Sequence, residues 1–93
     1  MALIMFYGTD CPSCAGMKIL VEKLQSDWGL SVQMHDVWQD ESQYRVMENY
    51  VQMYCPDCDG IPFFINTDTN QVICGQVGYK KFSNWALGGR VNQ

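Results

Sequence analysis

Apolar and polar positions along this chain follow two periods, and together they predict seven structural elements. Runs that are continuously apolar or alternate with polar residues indicate strands, whereas apolar residues repeated every three or four positions indicate helices packed on one face. The two patterns alternate, with the last two strands adjacent, at 2–7, 13–28, 31–37, 40–54, 63–65, 72–74 and 79–87. The predicted order is therefore β-α-β-α-β-β-α.

The apolar stripes of the predicted helices identify the residues expected in the core. Gly29 suits the C-terminal cap of the first helix, Asp40 or Ser42 suits the N-terminal cap of the second, and Pro56 ends that second helix. The stripes comprise Met17, Leu20, Val21, Leu24 and Trp28, then Met47, Tyr50, Val51 and Tyr54, then Phe82, Trp85 and Leu87.

The lengths of the connections predict how the strands pair. A helix between the first two strands requires a right-handed crossover and a parallel pair, whereas the polar turn at 66–71 is short enough for an antiparallel hairpin. We therefore expect an α/β fold with a four-stranded mixed sheet and helices on both faces. The chain has 93 residues, of which 47% are hydrophobic, so residues 1–93 are expected to form one small domain.

Charge and hydropathy argue against two classes of partner. The net charge is −4 and the six Lys and Arg residues do not cluster, which argues against binding to nucleic acid. An apolar run of 18 residues is absent from the sequence, and its start lacks the pattern of a signal peptide. We therefore expect a cytoplasmic monomer with neither nucleic-acid nor membrane partners.

Five cysteines are many for a chain of this length, and four of them form two CxxC motifs. In a reducing compartment, such motifs indicate redox or metal chemistry rather than structural disulfides. Cys11-Pro12-Ser13-Cys14 lies where the first strand gives way to the first helix. The free N–H groups and positive dipole end of that helix favour a thiolate on Cys11, the form that attacks disulfides.

Asp10 lies next to Cys11 and opposes formation of its thiolate, but we expect the helix N-terminus to have the larger effect. The pKa of the reduced Cys11 thiol should then lie below the ordinary value of about 8.5. The first motif therefore predicts dithiol–disulfide chemistry with a reducing rather than strongly oxidising character.

The second motif, Cys55-Pro56-Asp57-Cys58, has a different electrostatic setting. It follows the second helix, where the negative dipole end and the carboxylates of Asp57 and Asp59 disfavour a thiolate. Neither Cys55 nor Cys58 is therefore expected to be the primary nucleophile. Three interpretations remain open: an auxiliary redox pair, a zinc or iron–sulfur site shared with the first motif, or thiols without a redox role.

Two further residues with reactive side chains have simpler interpretations. Cys74 lies in an apolar strand and is expected to be a core thiol. His35 is the single histidine, and it is expected to be packed or solvated rather than to act as a base for Cys11.

Four segments, in order and at suitable spacing, resemble the thioredoxin-like superfamily in its small, glutaredoxin-sized form. The resemblance spans about residues 3–87 and includes the CxxC motif and a loop that matches the cis-proline loop of the family. The segments are 6–14, 32–40, Gly60-Ile61-Pro62-Phe63-Phe64 and Gln76-Val77-Gly78-Tyr79.

The resemblance implies a thioredoxin-like fold and a role for each matching residue. Cys11 would be the attacking thiol and Cys14 the resolving thiol, while Pro62 would follow a cis peptide bond and face the CxxC motif. Substrate would lie along Pro12, Ser13, Ile61, Pro62 and Gly78, with the backbone of Ile61 pairing with a bound peptide.

The resemblance also implies an activity, the reduction or exchange of protein disulfides. The redox-active Cys11–Cys14 disulfide would need no bound cofactor, and a reductase or a small thiol would supply the electrons. One difference from the family concerns the resolving thiol, because Met5 occupies the position where thioredoxins place a buried acid.

Overall fold

The structure, a computed structural model, describes residues 2–90, and it contains seven elements in the predicted order. They are β1 (Leu3–Tyr7), α1 (Pro12–Trp28), β2 (Gln33–Asp36), α2 (Glu41–Tyr54), β3 (Phe63–Asn66), β4 (Gln71–Cys74) and α3 (Tyr79–Ala86).

The four strands form one mixed sheet in the order β2-β1-β3-β4. β1 pairs with β2 in parallel and with β3 antiparallel, so that Phe6 lies opposite His35 on one side and Phe63 on the other. β3 and β4 form an antiparallel hairpin. The predicted α/β class and mixed sheet are therefore confirmed, and β1 is an inner strand.

Helices cover both faces of the sheet, as predicted. Because side chains alternate along a strand, Leu3 and Met5 point to one face, whereas Ile4 and Phe6 point to the other. α1 and α3 supply the first core cluster, and α2 supplies the second. Each face of the sheet therefore has its own hydrophobic core.

Local signals fix the ends of the two longer helices. The Asp40 carboxylate caps α2 by accepting the backbone N–H groups of Ser42 and Gln43. The hydroxyl of Ser42 also donates to this carboxylate, and these bonds lower the pKa of Asp40, the Ser42 hydroxyl contributing most. Gly29 ends α1 in the left-handed conformation (φ 67°), which costs glycine little.

Polar contacts join the end of α1 to the start of α3. The Tyr79 hydroxyl donates to the Asp27 carboxylate at 3.0 Å, and the Lys23 ammonium lies 3.1 Å from the same carboxylate. Lys23 and Tyr79 together lower the pKa of Asp27, with the hydrogen bond from Lys23 as the larger cause. These contacts hold the two helices together on one face of the sheet.

Trp85 of α3 lies at the centre of the first core cluster with no exposed surface. Its ring centroid is 5.7 Å from that of Phe64 and 5.3 Å from that of Phe82. The indole N–H donates to the Gln71 carbonyl at 2.9 Å, and the Trp85 carbonyl accepts the side-chain amide of buried Asn66 at 3.1 Å. The indole thus links α3 to the β3–β4 hairpin.

Several details of the sequence prediction are wrong. Trp28 and Leu87 were expected in the core, but their side chains are 55% and 49% exposed, and α3 ends at Ala86. Cys74 is half-buried at the end of β4 rather than a core thiol. The second strand covers only Gln33–Asp36 instead of 31–37. In the part of the chain that the structure describes, no helix has the length and apolar character needed to cross a membrane.

Candidate active site

The first CxxC motif begins directly after β1, and Cys11 is the N-terminal cap of α1. The Cys11 sulfur accepts the backbone N–H of Cys14 at 3.1 Å, and its carbonyl accepts the N–H of Ala15 at 3.1 Å. The hydroxyl of Ser13 is 3.6 Å from the same sulfur. Pro12 occupies the first position of the helix, where its missing N–H costs nothing. The sulfur therefore lies at the positive end of the helix dipole.

The two cysteines of this motif differ in their access to solvent. They form a disulfide across one helical turn, with Cα atoms 5.1 Å apart. Cys11 is half-buried, whereas Cys14 is only 1% exposed and lies in the first core cluster with Met5. Cys11 is therefore the more accessible of the two cysteines.

The loop before β3 lies beside the strand that leads into Cys11. Antiparallel pairing of Phe6 with Phe63 places Ile61 and Pro62 alongside the end of β1. The Ile61–Pro62 peptide bond is cis, as the resemblance implies, and the Pro62 carbonyl accepts the N–H of Gly75 at 2.9 Å. Ile61 is half-buried and contacts both core clusters. This loop is therefore fixed beside the end of β1, which leads toward the CxxC segment.

The segment before α3 contacts the CxxC motif. The Gln76 side-chain amide donates to the Ser13 carbonyl at 3.4 Å, a contact that the sequence alone did not indicate. Gly78 is exposed and caps α3, and it lines a shallow cavity of about 460 Å³ along α1. The structure thus places Gln76 against Ser13 of the CxxC motif, and Ile61 beside Gly8, three residues before the motif.

A polar network that sequence reasoning missed supports the residues before Cys11. The Thr9 hydroxyl donates to the Asp36 carboxylate, which also accepts the backbone N–H groups of Trp38 and Gln39. These hydrogen bonds lower the pKa of Asp36, the bond from Thr9 contributing most, and Lys18 adds a small electrostatic effect. The parallel register of Tyr7 with Asp36 brings Thr9 within reach.

We expect Thr9→Val to raise the pKa of Asp36 toward its ordinary value of 3.8, because the strongest donor to the carboxylate is removed. A lowered pKa in the folded state stabilises the fold above pH 3.8, and this contribution disappears as the pH falls through the folded-state value. The variant should therefore be less stable than the wild type at neutral pH, with a smaller difference in acid. Carboxyl NMR titration and urea unfolding measure both effects, and Thr9→Ser is the matched control. An Asp36 pKa that is the same in Thr9→Val and Thr9→Ser would contradict the assignment.

Trp38 is a second feature that the sequence did not single out as part of the site. Its side chain is 55% exposed, yet its ring lies directly over Gly8, three residues before Cys11. A side-chain carbon at position 8 would overlap both the Trp38 ring and the end of Ile61. Glycine at this position therefore allows an aromatic ring to lie beside the loop that contains Ile61.

Gly8→Ala should destabilise the protein by about 1–3 kcal/mol, the usual cost of adding a methyl group to a tightly packed place. The Trp38 ring must move, so the tryptophan fluorescence should change as well. Gly16→Ala is the control, because glycine in a helix interior costs roughly 1 kcal/mol relative to alanine and the new methyl would make only an ordinary contact. Urea unfolding followed by fluorescence measures both variants. Equal stability of wild type and Gly8→Ala would show that the Trp38 contact is not maintained.

The second CxxC motif lies on the other side of the sheet, at the C-terminal end of α2. Cys55 and Cys58 form a separate disulfide with Cα atoms 5.4 Å apart. Both residues are half-buried and pack against the second core cluster, whereas Cys11 packs against the first. Ile61 packs against both clusters.

The structure does not bring the four thiols together as one set of metal ligands. Each motif is paired within itself, and between residues 2 and 90 no group of three or more His, Cys, Asp or Glu side chains is arranged to hold a metal ion. His35 lies on β2 with its ring centroid 5.8 Å from that of Phe6, which fits the expectation of a packed histidine.

Comparisons with protein-family models, with curated proteins and with solved structures found no match to this chain.

Proposed function

We propose that this chain is a thioredoxin-like thiol–disulfide oxidoreductase that reduces or exchanges protein disulfides. One observation carries the proposal. The Cys11 sulfur caps α1 by accepting a hydrogen bond from the Cys14 N–H at 3.1 Å. Cys11 is half-buried, whereas Cys14 is buried in the core. This arrangement provides an accessible sulfur that is stabilised as a thiolate and a second sulfur that only the first can reach.

The proposed reaction has two steps and transfers two electrons. In the reduced protein, the Cys11 thiolate attacks one sulfur of a substrate disulfide, which forms a mixed disulfide and releases the first substrate thiolate. Cys14 then attacks the Cys11 sulfur, so that the Cys11–Cys14 bond forms and the second substrate thiolate leaves. Because Cys14 lies among apolar residues with Met5, its proton passes to a departing substrate thiolate.

The substrate is proposed to bind across the end of the sheet as an extended peptide. Pro12 and Ser13 would form one side of this surface, and Ile61 and Pro62 would form the other, with Gly78 beyond Ser13. The backbone of Ile61 would pair with the peptide, as in other cases where an extended chain binds to free main-chain groups. Trp38, whose exposed ring lies over Gly8, would form the edge of the same surface.

The proposal also specifies partners and compartment. A reductase or a small thiol would return electrons to the Cys11–Cys14 disulfide, without any bound cofactor. We propose a monomeric protein in the cytoplasm, where reducing conditions keep such a site in use. Nucleic acids and membranes are not among the proposed partners.

Trapping with Cys14→Ser tests the proposed function. Without the resolving thiol the reaction should stop at the mixed disulfide, so substrate proteins should remain attached to Cys11 until dithiothreitol is added. The double variant with Cys11→Ser is the control and should trap nothing. Equal trapping by the single and double variants would overturn the assignment of Cys11 as the nucleophile.

A further inference from the structure

The disulfide at the end of α2 has no role in the proposed reaction, and its surroundings are the reverse of those at Cys11. The Cys55 N–H donates to the Val51 carbonyl at 2.9 Å, and the Cys58 N–H donates to the Cys55 carbonyl at 2.9 Å. Both backbone N–H groups thus donate to backbone carbonyls. Among residues 2–90, no hydrogen-bond donor contacts the sulfur of Cys55 or Cys58. The cysteines therefore lack the N–H contact that the Cys11 sulfur has.

The charges around the two motifs also differ in sign. Cys55 is the C-terminal cap of α2, where the helix dipole is negative, and the exposed carboxylates of Asp57 and Asp59 flank Cys58. The last turn of α2, all of it described, contains no basic residue to offset them. At the first motif, the helix dipole is positive and the described first turn of α1 contains no acidic residue. Asp10 is the one carboxylate next to Cys11 in sequence.

These differences set the relative stability of the two dithiols. Anything that stabilises a thiolate stabilises the reduced form of its pair, which raises the reduction potential. The N-terminal amides of α1 stabilise the Cys11 thiolate, whereas the end of α2 and two carboxylates destabilise a thiolate on Cys55 or Cys58. The second disulfide is therefore harder to reduce than the first.

We propose that Cys55 and Cys58 form a second redox-active pair, of lower reduction potential, whose dithiol form reduces the Cys11–Cys14 disulfide of another copy of this chain. The two motifs pack on different core clusters, on opposite faces of the sheet, which favours exchange between copies over exchange within one. Cys11, Cys55 and Cys58 are all partly exposed, as an exchange between two molecules requires, whereas Cys14 is buried.

The exchange balances without any other reactant. A thiolate of the second pair attacks the Cys11 sulfur, the Cys11–Cys14 bond breaks, and a mixed disulfide joins the two copies. The other cysteine of the second pair then attacks this mixed disulfide, so the Cys55–Cys58 bond forms and the Cys11 thiolate leaves. Two electrons and two protons pass from one pair to the other. The proposal concerns only the two pairs, so it stands or falls separately from the reduction of protein disulfides.

A redox titration of the wild-type protein tests the order of the two potentials. The protein is equilibrated in glutathione or dithiothreitol buffers, free thiols are alkylated, and peptides containing each motif are quantified by mass spectrometry. A difference of at least about tenfold between the two equilibrium constants is expected, so that the second pair is still roughly 90% oxidised when the first is half reduced. Coincident midpoints, or a second pair that is reduced first, would overturn the proposal.

Electron transfer between two variants tests the exchange itself. The donor is the reduced Cys11→Ser/Cys14→Ser protein, the acceptor is the oxidised Cys55→Ser/Cys58→Ser protein, and both carry Cys74→Ala. With a tenfold difference in equilibrium constant, about three quarters of an equimolar acceptor should become reduced. Reduction of half or less at equilibrium would overturn the proposal. Circular dichroism checks the folding of both variants, and the wild-type titration decides the order of potentials if either variant is unfolded.

Removing the carboxylates of Asp57 and Asp59 tests whether their charges cause the difference between the equilibrium constants of the two disulfides. Asp57→Asn/Asp59→Asn should bring the two equilibrium constants closer by roughly threefold or more, because the thiolates of the second pair are then less disfavoured. Asp68→Asn, in the β3–β4 turn, is a control that removes one carboxylate elsewhere on the surface and should change neither constant. An unchanged ratio in the double variant would show that the carboxylates do not set the order.

Discussion

Cys11→Ser is expected to reduce the rate of insulin-disulfide reduction by at least about 10³-fold, the scale of loss seen when a catalytic nucleophile is removed. Serine retains the shape of the side chain and can still cap α1 by accepting the Cys14 N–H. Its hydroxyl is not ionised at neutral pH and does not attack disulfides. The variant should therefore be folded but inactive.

Cys74→Ser is the matched control for this experiment. Cys74 is half-buried and unpaired in the described structure, at the end of β4, and the proposed reaction does not use it. Its replacement should leave the rate within about twofold of wild type, since it removes no group from the transition state. Equal rates for Cys11→Ser and wild type would refute the proposed mechanism, and a large loss in Cys74→Ser would assign a role to the fifth cysteine.

Trp85→Ala should have the largest effect on stability, a loss of about 3–5 kcal/mol. The substitution leaves a cavity between Phe64 and Phe82 and removes the indole donor to the Gln71 carbonyl. Because small domains are stable by only about 5–15 kcal/mol, this variant should lose a large part of its stability. Urea unfolding monitored by far-UV circular dichroism measures the change.

Trp28→Ala is the control of the same chemical type. Trp28 is 55% exposed at the end of α1, so its removal should change the free energy of unfolding by roughly 0.5 kcal/mol or less. The helical stripe in the sequence would instead make Trp28 a core residue, so the comparison separates the sequence expectation from the structure. Similar losses in both variants would show that Trp28 is buried in solution.

The spacing of apolar residues and the capping signals were sufficient to predict every element of the described chain. Gly29 and Asp40 fix helix ends through interactions within a few residues, so the sequence alone is enough to predict them.

The prediction that Trp28 lies in the core failed because α1 is longer than the strands beneath it. A helix of 17 residues extends about 25 Å, whereas the five residues of β1 extend roughly 17 Å. The last turn of α1 therefore has no sheet to cover.

The candidate site was anticipated through two local motifs and a resemblance, whereas contacts that form only in the fold were missed. The CxxC motif at a strand–helix junction directed attention to Cys11 and Cys14, and the resemblance directed it to Ile61, Pro62 and Gly78. By contrast, the bond from Thr9 to Asp36 depends on the parallel register of two strands, and the contact of Trp38 with Gly8 depends on the loop after β2. Neither periodicity nor spacing encodes such long-range contacts.

The position of β1 inside the sheet has a consequence for how the protein fluctuates. β1 has a hydrogen-bonded neighbour on each side, and a core cluster covers each of its faces. In native-state deuterium labelling, its amides should be among the slowest to exchange, whereas those of β2, at the margin of the sheet, should exchange through local opening. The sulfur of Cys11, the proposed nucleophile, thus follows the segment that is expected to open least often, and its alignment should persist through partial unfolding elsewhere.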